Sequence, residues 1–368
     1  MALGSKQAVE PLKALLDMSQ ADLRVIPTNQ EGGACVTYQI TVPQELGSIA
    51  VLDASWPIRE LERMDTTIRE DQGFDGRVKR YDRVTIRHLQ HGSGRKTMDR
   101  AFAGKREDRT ISHEIVEVVK AIPHDQAIIV FTFKKQPKGI DFKATLQGDL
   151  SAAGIDPSAS IPGHPARSRF VFLTWGQETS LSEYAYCSNV IFAGVLHRSH
   201  GDISGAIIGQ SNSLTSPVTN ADIARVIRSE VAHSLYQAMS RGSCRMVEDG
   251  QAKAMNVWLI HPDPQIRDQL MEVMPGVQWK PWEAKHLETC GTKTREIVTK
   301  VMDYLAALPD TVVKVSTRQL KKTLCLTDIP PRTFTRTMTI LTEGAATWVL
   351  DGRSLIRITD NQATSETI

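Results

Sequence analysis
The stretch Tyr236-Gln237-Ala238-Met239-Ser240-Arg241-Gly242-Ser243-Cys244-Arg245 sets two arginines four residues apart behind a glutamine. Continued as a helix, that spacing puts both guanidiniums on one face. A guanidinium is permanently charged and offers a planar fork of donors, so the pair suits a polyphosphate whose charge changes during reaction. Other reactive residue types lack the company they need. His197, His200 and His233 have no carboxylate or cysteine at ligand spacing, so no metal site is expected. Ser93, Ser199 and Ser243 stand in no nucleophile elbow. In His91-Gly92-Ser93-Gly94-Arg95-Lys96-Thr97, Arg95 separates Gly94 from Lys96, which breaks the order of a phosphate-binding G-x-x-x-x-G-K-[ST] loop.

The elements that would position the arginines are legible as apolar runs. Ala127-Ile128-Ile129-Val130-Phe131-Thr132-Phe133, Phe170-Val171-Phe172-Leu173-Thr174, Asn189-Val190-Ile191-Phe192-Ala193 and Asn256-Val257-Trp258-Leu259-Ile260 have strand length and almost no polar interruption. Separated by helical segments, they predict a parallel sheet covered on both faces, an α/β core between about residues 112 and 262. Ser48-Ile49-Ala50-Val51-Leu52 has the same character and predicts another buried strand ending at Asp53-Ala54-Ser55. Between Arg77 and Arg109 the chain carries many arginines and lysines and few acids, either a solvated connection or a surface that neutralises nucleic-acid phosphates. Further on, 294–305 has the apolar period of an amphipathic helix, and Ser316 caps a second one. Pro330-Pro331 opens a third, and Asp351-Gly352 turns a hairpin over 348–357.

Composition bounds these readings. The 368 residues suffice for two or three domains, and the 41% hydrophobic and 23% charged fractions suit a water-soluble globular chain. No run of 18 or more apolar residues and no apolar leader is present, so no membrane partner is expected and the cytoplasm is the expected location. Five scattered cysteines in no C-x-x-C pattern are expected to be reduced and mainly buried. With a net charge of +2, any contact with nucleic acid has to come from local patches.

Taken in order, four of these segments resemble the motifs of superfamily-2 DNA helicases. Asp53-Ala54-Ser55 is similar to motif III, Ile129-Val130-Phe131-Thr132 to motif IV, Leu173-Thr174-Trp175-Gly176-Gln177-Glu178-Thr179 to motif V, and the Gln237 to Arg245 stretch to motif VI. The segment Ser182-Glu183-Tyr184-Ala185-Tyr186-Cys187 looks like the family's helix leading to the next strand. The resemblance implies a RecA-like fold. It makes Arg245 the arginine finger on the γ-phosphate, with Arg241 supporting it and Gln237 positioning the segment. Gly176, Glu178, Arg241 and Arg245 would face the nucleotide, and Thr132, Thr174 and Thr179 the nucleic acid. The helices and hairpin after residue 290 resemble a winged-helix domain, which would bring Arg332, Arg336 and Arg353 to DNA.

The sequence contains neither a Walker A loop nor an Asp-Glu-x-His or Asp-Glu-Ala-Asp box. ATP and Mg²⁺, implied for the complete enzyme, are therefore not expected to be held by this chain alone. The implied organisation is a remnant of the first RecA-like domain over 1–60, a basic connection over 61–111, the second RecA-like domain over 112–275, a winged helix over 285–360 and a disordered tail over 361–368. The implied partners are DNA, as a single strand or fork, and the ATPase half, in cis or in trans, in a mobile-element setting. The alternative is a non-enzymatic DNA-binding or scaffold protein that keeps the same fold.

Overall fold
The fold is described from a computed structural model. It describes residues 22–27, 34–38, 47, 50–70, 79–137, 139–177, 183–211, 213–287, 292–309, 311–327, 329, 334, 337–338, 341, 348–351 and 353–357. These fall into two compact units, one drawn from 1–73 with 198–230, the other from 74–197 with 231–358.

The larger unit is built on a six-stranded, wholly parallel sheet. Its strands are β1 (Val84–Leu89), β2 (Ile128–Thr132), β3 (Phe170–Thr174), β4 (Asn189–Phe192), β5 (Met255–Ile260) and β6 (Gln278–Pro281), in the spatial order β6-β1-β5-β4-β2-β3. The apolar runs do form strands, and β2 and β4 are buried along their whole length. Parallel neighbours need crossovers, and helices α1 (Arg95–Phe102), α2 (Thr110–Ala121), α3 (Phe142–Ala152), α5 (Asn220–Met239) and α6 (Ile266–Val273) lie in them; α4 (His200–Gln210) and α5 as far as Glu230 belong to the smaller unit. Helix α2 buries Ile111, Ile115, Val116, Val118 and Val119. Asp149 of α3, 2% exposed, ties the two helices together by accepting from Arg109 Nη1 at 3.0 Å and Ser112 Oγ at 2.6 Å.

The sheet begins earlier than the sequence pattern suggests. The segment expected to be a basic connection, 61–111, contains β1, an interior strand paired with β5 on one side and β6 on the other. The density of cations hid the alternation of Val84, Ile86 and His88, all buried, with Thr85 and Arg87. Much of that charge is used inside the protein. Arg80 donates to Asp82, Arg95 to the Lys134 carbonyl, and Arg109 to Asp149. The expected helix over 182–187 is a turn in its described part, 183–186.

The smaller unit contains α4 and an antiparallel hairpin, Leu23–Pro27 with Ala34–Tyr38. Gly205 gives the hairpin room, since a Cβ there would meet Cys35 Sγ and, at 3.1 Å, Thr37 Cγ2. In its described part, 50–52, the buried strand predicted over 48–52 is irregular, with Val51 80% and Leu52 97% exposed. The segment is instead fixed just downstream, where Asp53 Oδ1 accepts from the Ser55 backbone N–H and hydroxyl.

After α6 and β6 the larger unit continues through α7 (Thr292–Ala306), β7 (Lys314–Ser316), α8 (Thr317–Thr323), β8 (Trp348–Asp351) and β9 (Ser354–Arg357). The three strands form an antiparallel sheet in the order β7-β9-β8. Ser316 Oγ accepts from Gln319 N–H at 3.1 Å, the cap read from the sequence. Ile297, Val301, Leu305, Leu320, Phe334, Met338, Trp348 and Leu355 form a core of their own. Cys187 and Cys244 are buried as expected, whereas Cys325 is exposed.

Candidate functional site
The arginines do not share a helical face. Helix α5 ends at Met239, and Arg241 and Arg245 lie beyond it, with Arg245 closing a short 3-10 turn, Ser243–Arg245. The cause is Gly242. Its backbone is extended (φ −84°, ψ −168°), and it sits so close to the sheet that a Cβ would lie 2.8 Å from Met255 Sδ, 3.1 Å from Cys187 O and 3.3 Å from Val190 Cγ2. Docking the chain there breaks the helix. The next residue completes the attachment, because Ser243 N–H donates to Cys187 O at 2.8 Å and Ser243 Oγ to Ala254 O at 2.7 Å. Cys244 is wholly buried, and burial pushes its thiol up to about 12, so it serves packing and not nucleophilic chemistry.

This anchoring leaves Arg245 exposed and Arg241 half-buried on a fixed backbone, with Gln237 half-buried on the last turn of α5. Lys79 Nζ donates to the Arg245 carbonyl at 3.4 Å and lies 4.9 Å from the centre of the Tyr81 ring. Burial, with the Arg245 cation adding to it, lowers the pKa of Lys79. Next to the 3-10 turn is a depression of about 530 Å³ whose lining includes Arg83, Arg167, Tyr186, Ser243 and Lys253, the last paired with Glu248 of the same lining at 2.9 Å. A concave, cation-rich surface beside a rigidly held arginine can bind phosphate oxygens and hold their charge through a reaction.

Thr132, Thr174 and Gly176 lie at the opposite end of the sheet. Ser243 docks where β4 and β5 begin, against Cys187 and Ala254, whereas Thr132 and Thr174 close β2 and β3. Thr132 is 0% exposed, so it cannot touch nucleic acid; its hydroxyl faces Leu173 O at 3.5 Å. Thr174 is half-buried, and Gln177 Oε1 accepts from both its backbone N–H and its hydroxyl, at 2.8 and 3.0 Å. Gly176 takes φ +99° in the turn between them, a conformation that suits glycine, with open space around it. Glu178 and Thr179 lie outside the described residues, as do Arg332 and Arg336. Arg353 is exposed in the turn between β8 and β9, and its carbonyl accepts from Thr317.

Sequence reasoning missed Lys79, Arg83, Arg167 and Lys253 as neighbours of the motif VI-like segment. No spacing rule would have found them. They come from separate parts of the chain and meet because three parallel strands begin side by side.

No protein-family model and no curated protein matches the chain. Among solved structures, it is similar to a chain described as "XPD_APO", with 12% identity over 55% of this chain and 40% of that one, at a TM-score of 0.31. It is also similar to one described as "XPD_Helicase", with 10% identity over 54% of this chain and 35% of that one, at a TM-score of 0.33. The chain thus spans well under half the length of the structures it matches. Among the described residues no group of three or more histidine, cysteine or acidic side chains could hold a metal ion, and no helix is long and apolar enough to cross a membrane.

Proposed function
We propose that this chain is the C-terminal part of an ATP-dependent superfamily-2 nucleic-acid helicase or translocase, and that it supplies an arginine finger to a nucleotide held by another RecA-like domain. The observation that carries this reading is the clamped segment from Arg241 to Arg245. A finger must reach a phosphate from a backbone that does not yield, and Gly242 and Ser243 provide that backbone while Arg245 projects to solvent. The parallel sheet flanked by helices supports a RecA-like domain. Exposed Val51 and Leu52, just ahead of the motif III-like Asp53, support a surface that the rest of the first domain would cover.

In this mechanism ATP and Mg²⁺ would be held by the other domain. Arg245 would supply positive charge to the γ-phosphate on closure, and Arg241 and Lys79 would reinforce the local positive potential. The helix, three-stranded sheet and separate core after residue 290 support a winged helix that binds DNA through Arg353, Arg332 and Arg336. The test is reconstitution with a Walker-A-bearing domain. Arg245→Ala is expected to lower turnover by roughly 10³-fold or more while changing nucleotide affinity less. Turnover close to that of the unmodified protein would return Arg245 to an ordinary surface role.

A further inference from the structure
A parallel sheet covered on both faces should present apolar residues to each. One face of this sheet departs from that rule. The register aligns Thr85 with Asn256 and Asn256 with Asn189, and in the next row on the same face Arg87 lies beside Trp258. Above these residues, beside α2, is a pocket of about 530 Å³, within the range of about 300–1,000 Å³ usual for small-ligand sites.

Arg87 is held in the pocket in a defined pose. Its guanidinium carbon lies 5.2 Å from the centre of the Trp258 ring, and Nη1 donates to Asn256 Oδ1 at 2.9 Å. That is one of the five N–H donors a guanidinium carries. Trp282, 7% exposed, adds a second indole to the wall, and its backbone N–H is fixed to His88 O. An oriented arginine can bind an anion or the paired acceptors of a flat ring. The ion pairs at the lining decide between them: Glu117 engages Lys285 at 3.1 Å and Lys120 at 2.7 Å, which leaves Arg87 to face Glu114 and Glu283. Glu114 is itself 1% exposed, held by the backbone N–H groups of His286 and Leu287. One guanidinium beside two carboxylates, its neighbouring lysine already paired, suits a neutral ring better than a phosphate.

We propose that this pocket binds an unpaired nucleobase with two adjacent acceptors, the O6/N7 edge of guanine, read by Arg87 at a wall to which Trp258 and Trp282 contribute. The proposal does not depend on the arginine-finger reading, because the pocket contains neither Arg241 nor Arg245. The base comes either from a free nucleoside or from a nucleic-acid strand.

The test is calorimetric titration of the full chain with guanosine and with 7-deazaguanosine, which lacks the N7 acceptor. Guanosine is expected to bind saturably, with 7-deazaguanosine weaker by roughly tenfold or more. Arg87→Lys, which removes the fork and keeps the charge, is expected to erase that difference. The nucleoside pair on the unmodified protein stands as a test even if the variant fails to fold. Competition by a short guanine-containing oligonucleotide assigns the base to a strand; its absence assigns a free nucleoside. Equal binding of the two nucleosides, no binding in the millimolar range, or guanosine monophosphate binding more tightly than guanosine with a salt dependence would overturn the proposal.

Discussion
Replacing Gly242 by alanine tests the idea that close packing, and not helix geometry, sets the arginines. At φ −84° the added methyl meets no backbone strain, so its whole effect comes from contacts. Met255 Sδ at 2.8 Å could shift along a flexible side chain, but Cys187 O at 3.1 Å is backbone at the start of β4 and Val190 Cγ2 at 3.3 Å is wholly buried. Overpacking of this kind costs about 1–3 kcal/mol. For a unit of this size each kcal/mol lowers Tm by about 2–4 °C, so a fall of several degrees is expected. The same variant should push Ser243 away from Cys187 and Ala254, and amide hydrogen exchange at Ser243 should quicken. Thermal melting and exchange are measured together. A Tm within about a degree of the parent, with Ser243 still protected, would refute the packing argument. Arg245→Ala is the matching control, since an exposed side chain should change stability by no more than about 0.5 kcal/mol.

Three further outcomes are expected. The isolated chain should release no phosphate from ATP above background, with or without single-stranded DNA; DNA-stimulated release that disappears in Arg245→Ala would contradict the proposed division of labour. Asp149→Ala should destabilise the larger unit by about 2–3 kcal/mol in urea titration, below the 3–5 kcal/mol for losing one partner of a fully buried pair because Arg109 is partly exposed. Burial holds the pKa of His261 at about 3, well below the ordinary 6.5, so the unfolded chain binds the proton more readily than the folded one. Its contribution is then complete above about pH 6.5 and falls as pH drops toward 3, and His261→Phe should flatten the loss of urea midpoint between pH 7 and pH 4.5.

The strands β2 to β5 were legible because a strand buried on both faces must be apolar almost throughout. The same signal misled at 48–52, where Val51 and Leu52 are apolar enough for a core yet stand in solvent. An apolar run records what a segment is suited to touch and not whether its partner is present. Strand β1 was missed for the opposite reason, since Arg87 and its cationic neighbours resemble surface when read alone. The arginine spacing was read as helical because nothing local stops α5 before Met239. What stops it is the meeting of Gly242 with Cys187 and Met255, residues distant in the chain.

The clamped arginines and the Thr174 turn mark opposite ends of one parallel sheet, and a five-residue strand between them is about 17 Å long. No single small ligand can bridge that span. In mechanical terms the sheet is a strut: its strands are hydrogen-bonded side by side, so a push at one end moves the other end as a rigid body and is not absorbed on the way.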